Sequence, residues 1–442
     1  LLQSPSYSGG KKHHVKRSGY NGRVTADGMV KGGKVKFALI FPTYWGRASG
    51  EPFCEEDAVY DHPTSLDCEG TLARALDSVR CLRHEDFQVM VVGAATHPDL
   101  ESEVEERLRG IVQPFGEHFP VALLSHSHLR EIKGMLESEG YGDCAQLLSL
   151  RGYSNIRNMC MVAACIAGAD AAVLFDDDQV YEDPDYLLKV EENIGGMWEG
   201  EFVGGLAGYY VNADGSYRLP PDPGWVFAEW PAAESMNQAF EIMESGERLK
   251  VTPWVFGGNM VVHRELYMRV AFDPNVPRGE DIDYLINARF LGYRFFLDKS
   301  LWIRHLPPPK TAPLWRRFRE DLDRFVYTRE KLRLQEPQSL GWMPVAVEEL
   351  DPYPGRFLRE DLEEMIFKTC VLMGLDYLSR GERDGFERCM VNIRRARTHA
   401  RQAFNPYLWY AEYRGRWERC MQVIAGSGKL QEYIYKKFFG AG

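Results

Sequence analysis

Three groups of residues in this 442-residue chain have types and spacings that could do chemistry. The first is Asp176-Asp177-Asp178, which ends the apolar run Ala171-Ala172-Val173-Leu174-Phe175. A buried strand that delivers several carboxylates at its exit is costly unless a cation or a reacting group uses their charge. Asp176 and Asp178 lie two apart and point the same way if the chain stays extended, giving hard oxygen ligands suited to Mg2+ or Mn2+. The second group, Arg278-Gly279-Glu280-Asp281-Ile282-Asp283, opens an apolar-faced helix. There Asp281 can act as a general base that takes the proton of a hydroxyl, while Glu280 positions the hydroxyl-bearing partner or a neighbouring loop. The third is His305 in Leu301-Trp302-Ile303-Arg304-His305-Leu306, an imidazole that would complete a site for Mn2+ better than for Mg2+. Each group also has a plainer reading: Asp is common in turns, acids favour helix starts, and a lone His is more often structural. The plainer readings predict no relation among the three groups.

The elements that must position these residues follow from the apolar pattern. Val35 to Phe41, Phe87 to Val92, Val121 to Leu124 and Ala171 to Phe175 read as strands, and Thr71 to Leu82, Leu100 to Val112 and Asn155 to Ala167 as helices. Such alternation implies crossover connections and a largely parallel sheet covered on both faces. Phe202 to Val211, followed by Asn212-Ala213-Asp214-Gly215, suggests a mixed-sheet excursion. Pro231 to Glu244 reads as a helix over a cleft, and Val255 to Val262 and Arg294 to Ile303 as strands flanking the helix that begins near Glu280. After Pro307-Pro308-Pro309 the strand signals stop, and residues 313–334, 356–379, 384–403 and 407–425 carry helical periodicity. The expected organisation is a flexible arm over 1–34, an α/β catalytic domain over 35–310, and a helical C-terminal domain or wrap over 311–442.

A chain with 45% hydrophobic and 12% aromatic residues can bury a sizeable core. Its formal net charge of -11 argues against bulk binding to nucleic acid, which calls for a basic footprint. The nine cysteines are scattered, without the CxxC pairs of a zinc site or the density of a disulfide scaffold, so reduced thiols in a cytoplasmic protein are expected. No apolar stretch is long enough for a membrane span, and the first residues are not signal-like. The chain begins at Leu1, which suggests a processed or engineered start.

The order of motifs resembles the inverting glycosyltransferases of the GT-A fold, family 2 most closely, over roughly residues 35 to 310. Phe37 to Tyr44 is similar to the opening strand, Tyr153 to Asn158 to the start of the helix before the metal strand, and Phe175 to Val180 to the aspartate motif. Phe256-Gly257-Gly258-Asn259 resembles the glycine-rich acceptor-side strand, and Gly279-Glu280-Asp281 the motif that carries the base. Gly292-Tyr293-Arg294 and Ile303-Arg304-His305 also fit. The resemblance implies a donor that is a nucleotide-diphosphate sugar, UDP- or GDP-linked, and Mn2+ or Mg2+ as cofactor. It implies a nucleotide pocket lined by Pro42, Thr43 and Tyr44, with Arg157, Asn158, Asp177 and Gly258 near the donor, and Asp176, Asp178 and His305 around the metal. Asp281 would be the base, with Trp254 and Asn259 toward the acceptor.

The second strand of the family commonly ends in acidic residues that contact the base, whereas Val92-Gly93-Ala94-Ala95-Thr96-His97 reaches no carboxylate before Asp99. The acidic segment Trp45 to Glu69, with Tyr60-Asp61-His62-Pro63, is an insertion that reads as a lid, a donor-specific loop or a plain surface loop. The acceptor could be a glycan, a lipid-linked sugar or a small-molecule hydroxyl. Trp225, Trp230 and Trp254 are either stacking faces or core. Arg394, Arg395, Arg397, Arg401, Tyr407, Trp409, Tyr410, Tyr413, Arg416 and Trp417 could make a peripheral contact with the inner membrane face or simply pack helices. A nucleotidyltransferase is disfavoured because Phe41-Pro42-Thr43-Tyr44-Trp45-Gly46 is not a glycine-rich phosphate loop, and an aspartate-nucleophile phosphatase because its Asp strand comes first. A retaining transferase and a non-catalytic sugar-nucleotide-binding protein remain as alternatives.

Overall fold

The computed structural model describes residues 34–434 and 436, apart from 53, 55, 222, 223, 245, 309–311 and 399–401. The expected N-terminal arm lies outside the described residues, save for Lys34. The first strands are β1 (Phe37–Gly46), β2 (Thr64–Ser65), β3 (Phe87–Ala95) and β4 (Val121–Leu124). Next come β5 (Ala171–Leu174), β6 (Gln179–Val180), the short pair β7 (Met197–Trp198) and β8 (Glu201–Phe202), and β9 (Gly205–Val211). The last are β10 (Leu249–Val251), β11 (Met260–His263) and β12 (Phe295–His305).

The main sheet runs β10-β12-β9-β11-β5-β1-β3-β4, with β2 beside β1 and β6 beside β12. Its β5-β1-β3-β4 half is parallel, while β11 runs antiparallel to both β5 and β9. Strands β1, β3 and β5 are apolar at nearly every position because both sheet faces are covered. Alternate residues of β1 enter opposite cores. Ala38 and Ile40 face the helices Tyr153–Ile166 and Glu280–Phe290, whereas Phe37, Leu39 and Phe41 face Leu72–Ser78, Glu101–Val112 and Tyr186–Glu191. The architecture is therefore a mixed, mostly parallel α/β sheet with flanking helices and a helical C-terminal region.

The C-terminal helices Leu314–Arg333, Leu362–Ser379, Arg383–Arg397 and Pro406–Gly426 share the first of these cores with the sheet. Tyr410 donates its hydroxyl to the Ala271 carbonyl at 3.0 Å, Trp417 its indole N–H to Tyr267 at 3.1 Å, and Tyr413 receives the Asn158 amide at 3.2 Å. Four of the C-terminal aromatics thus serve the core. Tyr407, Tyr410, Tyr413 and Trp417 face inward, Arg395 pairs with Asp323, and Arg401 lies outside the described residues. Among the described residues no helix is long and apolar enough to cross a membrane.

One buried ionic knot joins the C-terminal helices to Glu280–Phe290. Lys331, fully buried, donates to Asp283 at 2.8 and 3.0 Å and to Asn287 at 3.2 Å, and lies 2.8 Å from Asp273. Tyr327 adds a hydrogen bond to Asp273 at 2.9 Å, and the rings of Tyr327 and Tyr410 flank the ammonium. The helix that carries Glu280 and Asp281 is thereby fixed from behind.

The structure departs from the sequence reading where backbone turns interrupt apolar runs. The strand expected over Val255 to Val262 begins only at Met260, as Met260–His263, because the chain turns at Phe256, whose carbonyl accepts from Asn259 N at 2.9 Å. The run from Phe202 to Val211 breaks between β8 and β9. Helix His126–Ser138, mixed in polarity and capped by Ser125, is an element that the apolar pattern does not announce.

Candidate functional site

The carboxyl ends of β1 and β5 open into a cleft of about 390 Å³. Asp176, Asp177, Asp178, Arg157, Glu280, Asp281, His305 and Tyr44 line it together, although they come from five separate stretches of sequence. In an open sheet a crevice beyond the strand ends is the expected place for a ligand.

The three aspartates do not point the same way, which corrects the extended-chain expectation. Strand β5 stops at Leu174 and the chain turns through Asp177-Asp178, with Gln179 N donating to the Asp176 carbonyl at 3.2 Å. Asp176 is turned toward Arg157, whose Nη2 donates to its Oδ1 at 2.8 Å. Asp177 accepts from the Thr43 hydroxyl, which in turn accepts the Trp45 indole N–H at 2.9 Å. Asp178 faces His305, with Oδ2 3.4 Å from Nε2. Burial, with Asp178 next to it, pushes the Asp177 carboxyl up to about 8. Burial also raises Asp176, partly opposed by Arg157.

Arg157, from the second turn of Tyr153–Ile166, is the hinge of the acidic cluster. Besides Asp176 it binds Glu280, with Nε 3.1 Å from Oε1. Burial works against its charge, but Asp176, Tyr44 and Glu280 hold its pKa well above the usual value. Glu280 is thus engaged with Arg157 and buried, and does not reach out toward an acceptor. Burial raises its carboxyl, and Arg157 opposes the rise.

Two glycines make the geometry possible. Gly279 has φ +65°, and a Cβ there would lie 2.0 Å from Arg324 Nη1, so only glycine fits this entry to the helix. At Gly258 a Cβ would lie 2.3 Å from Asp176 Oδ2 and 2.3 Å from Gln179 Nε2. The backbone here is pressed against the acidic turn. Asp281, which faces the cleft, accepts from Gly257 N and Ile282 N at 2.8 Å each. Each oxygen keeps another lone-pair direction free of these bonds.

Asp178 and His305 offer donor atoms suited to a divalent cation, while Asp176, held by Arg157, stands too far off to complete a close three-residue cluster with them. Asp178 Oδ1 is buried without a hydrogen-bond partner, and His305 Nε2 lies beside the same carboxylate. Burial and mutual repulsion raise two of the three aspartates, and an added cation relieves both effects. Arg157 Nη1 and the Tyr44 hydroxyl are likewise buried and unpartnered at the cleft wall. Tyr210 stacks on Phe256 at 4.2 Å, lies 4.8 Å from the His305 ring, and receives Gly258 N at 3.0 Å.

No protein-family model matches the chain, and no curated protein matches it either. Among solved structures the chain is similar to the mannosyltransferase PcManGT from Pyrobaculum calidifontis in complex with GDP-Man and Mn2+, at 13% identity. That match covers 92% of this chain and 88% of the other, with a TM-score of 0.41. It is also similar to TarS 1-349 of S. aureus in complex with UDP, at 13% identity over 82% of this chain and 92% of that one, with a TM-score of 0.36. The likeness is one of architecture alone.

Several residues expected at the site serve the core. Trp254 is fully buried and donates its indole N–H to Ala239 at 3.0 Å, so it offers no stacking face. Asn259 is buried between the Tyr186 hydroxyl and the Tyr209 carbonyl. Asn158 exchanges hydrogen bonds with the Phe272 backbone, 2.8 Å in each direction. Pro42 is buried in β1 beyond its last pairing with β5, where a missing N–H is tolerated. Trp230 is core and Trp225 is exposed. The cleft wall also includes groups to which sequence reasoning assigned no definite role. Arg278 pairs with Asp61 at 2.8 Å, Tyr153 accepts from Asp61 N, and Tyr60, Tyr44 and Tyr153 pack edge to face or tilted. The segment Trp45 to Glu69 thus supplies cleft wall through Asp61 and His62. Arg324 and Tyr353, 2.8 Å apart, come from the C-terminal region. An ordinary amphipathic helix and a proline-rich loop gave no signal for them.

Proposed function

We propose that this cleft binds a nucleotide-diphosphate sugar, UDP- or GDP-linked, and transfers its sugar to an acceptor hydroxyl with inversion. The observation that carries this reading is the convergence of Asp176, Asp178, His305, Arg157 and Asp281 on one cavity large enough for such a donor. In this reading residues 35–310 form the catalytic unit and 311–442 a wrap that closes one wall with Arg324 and Tyr353.

Asp178 and His305 would hold Mn2+ or Mg2+, with Asp176, held by Arg157, on the same cleft wall. When bound, the cation offsets the negative charge that grows on the leaving diphosphate. Arg157 presents its unpartnered Nη1 to the same diphosphate or to the ribose, and Thr43 fixes Asp177 at the donor side of the cleft. Tyr44 closes the nucleotide side, and Gly258 lets the backbone approach without a side chain. Asp281 accepts the proton of the acceptor hydroxyl as the new oxygen–carbon bond forms, while the sugar–phosphate bond breaks and its electron pair leaves with the diphosphate. A single in-line displacement inverts the anomeric centre, and no covalent sugar intermediate is required. Glu280 acts through Arg157, keeping its guanidinium aimed into the cleft.

Product analysis tests this reading. Incubation with nucleotide sugars and candidate acceptors, followed by NMR of the product's anomeric proton, should show the configuration opposite to the donor's. Retention of configuration would refute the assignment of Asp281 as base in a single displacement. Asp281→Asn should lower turnover by roughly two to four powers of ten, the range of a general base, with donor binding nearly unchanged.

A further inference from the structure

Outside the cleft, one group of side chains has the composition of a metal site. Cys54 Sγ, Glu56 Oε2 and His97 Nε2 lie within 4.8 Å of one another, with both Sγ and Nε2 3.7 Å from Glu56 Oε2. A tetrahedral zinc with bonds of about 2.0–2.3 Å keeps its ligand atoms roughly 3.3–3.8 Å apart, so both separations from Glu56 already fit. We infer that Cys54, Glu56 and His97 bind one Zn2+, leaving a fourth position for water. This assignment rests on these three residues and is independent of the reaction proposed for the cleft.

The chemistry of the set selects the metal. A thiolate and an imidazole favour zinc over the hard cations Mg2+ and Ca2+, and the two negative charges of thiolate and carboxylate neutralise the ion. His97 is mostly buried and Cys54 partly so, while Glu56 is open to solvent, which leaves an entry path. The ring of His97 is also held from behind. Without metal its Nδ1 accepts from Asp99 N at 3.2 Å, and Asp99 Oδ2 lies 3.4 Å away; with metal on Nε2 the proton moves to Nδ1 and the partner changes from that N–H to the carboxylate.

The ligands are on backbone that is already tied down. Cys54 N donates to Asp57 Oδ2 at 2.8 Å, and Asp57 is clamped by Arg47 through two bonds of 3.1 Å. Arg151 donates to the Glu56 carbonyl, and Ala58 N to the Thr96 carbonyl at 2.8 Å. Two of the ligands therefore come from the inserted segment and the third from the exit of β3. A bound ion would cross-link them a few residues before Asp61 and His62 enter the cleft wall. Its role is to fix that segment against the sheet.

Metal titration of the full chain tests the inference without reference to activity. The protein is stripped with a chelator under a thiol reductant, then titrated with Zn2+ in competition with a chromophoric chelator, and separately with Co2+. The expected result is a single equivalent of Zn2+ that excess Mg2+ does not displace, and a near-ultraviolet cobalt band that only thiolate ligation produces. Cys54→Ser should abolish the band, and Cys54→Ser and His97→Gln should each weaken Zn2+ binding by at least roughly ten- to a hundredfold. Asp178→Asn, in the cleft, should leave both readouts unchanged. Absence of the cobalt band, or zinc affinity that survives both Cys54→Ser and His97→Gln, would overturn the assignment, as would zinc binding lost only in Asp178→Asn.

Discussion

Replacing Lys331 by Met tests how the C-terminal helices hold the helix that carries Glu280 and Asp281. The ammonium is fully buried, 2.8 Å from both Asp273 and Asp283, and it shares the pocket with Asn287, Tyr327 and Tyr410. Removing it leaves two buried carboxylates without a counter-charge, held by the neutral donors Tyr327 and Asn275 on Asp273 and Asn287 on Asp283. Breaking a buried ion pair from one side costs about 3–5 kcal/mol, a large part of the 5–15 kcal/mol typical of a whole protein. Burial already raises the Asp283 carboxyl, and Lys331 is the main influence holding it down. The variant should therefore take up a proton there, and a carboxyl with a raised native pKa stabilises less as pH rises through that value. The penalty is expected to be larger near about pH 8 than near about pH 5. Urea unfolding at both pH values measures it, and the double variant with Asp283→Asn should recover roughly 1–3 kcal/mol by removing one unpaired charge. A loss below about 1 kcal/mol at the higher pH, or no recovery in the double variant, would refute the reasoning about this knot.

Other outcomes follow from single positions. Gly258→Ala places a methyl 2.3 Å from Asp176 Oδ2, so it should cost about 1–3 kcal/mol and abolish nucleotide-sugar binding; calorimetry and thermal melting separate the two effects. Burial lifts Glu320 from 4.5 to about 7, with Arg278 opposing the rise. Its contribution to stability is therefore complete below about pH 4.5 and declines as pH rises through about 7. Glu320→Gln should gain up to about 3 kcal/mol over the wild type at mildly alkaline pH and little in acid, as read by denaturation across pH.

Much of the site was legible because its residues are conspicuous in the sequence. Acids at the end of an apolar run, acids after a glycine at a helix start, and a histidine at a late strand end do meet in one cleft. What the sequence could not convey is the direction of each side chain. Period-two reasoning put Asp176 and Asp178 on one side, but the chain turns at Asp177, and Arg157 and His305 draw the two apart. Trp254 and Asn259 lie next to the glycine pair in sequence, yet the turn before β11 sends both into the core. Arg324 and Tyr353 reach the cleft only through tertiary packing of the C-terminal helices, which no local pattern records. The inserted segment, read from sequence as a lid, a donor-specific loop or a plain surface loop, brings Asp61 and His62 to the cleft wall.

The central claim is that the Asp178–His305 corner of the cleft holds a divalent cation needed for nucleotide-sugar binding. Isothermal titration with UDP, GDP and their sugars, with and without Mn2+, measures this directly on the wild type and on Asp178→Asn. The account predicts binding of one nucleotide class that strengthens at least about tenfold with Mn2+ and loses that gain in Asp178→Asn. Binding indifferent to Mn2+, or a Mn2+ gain that persists in Asp178→Asn, would contradict it.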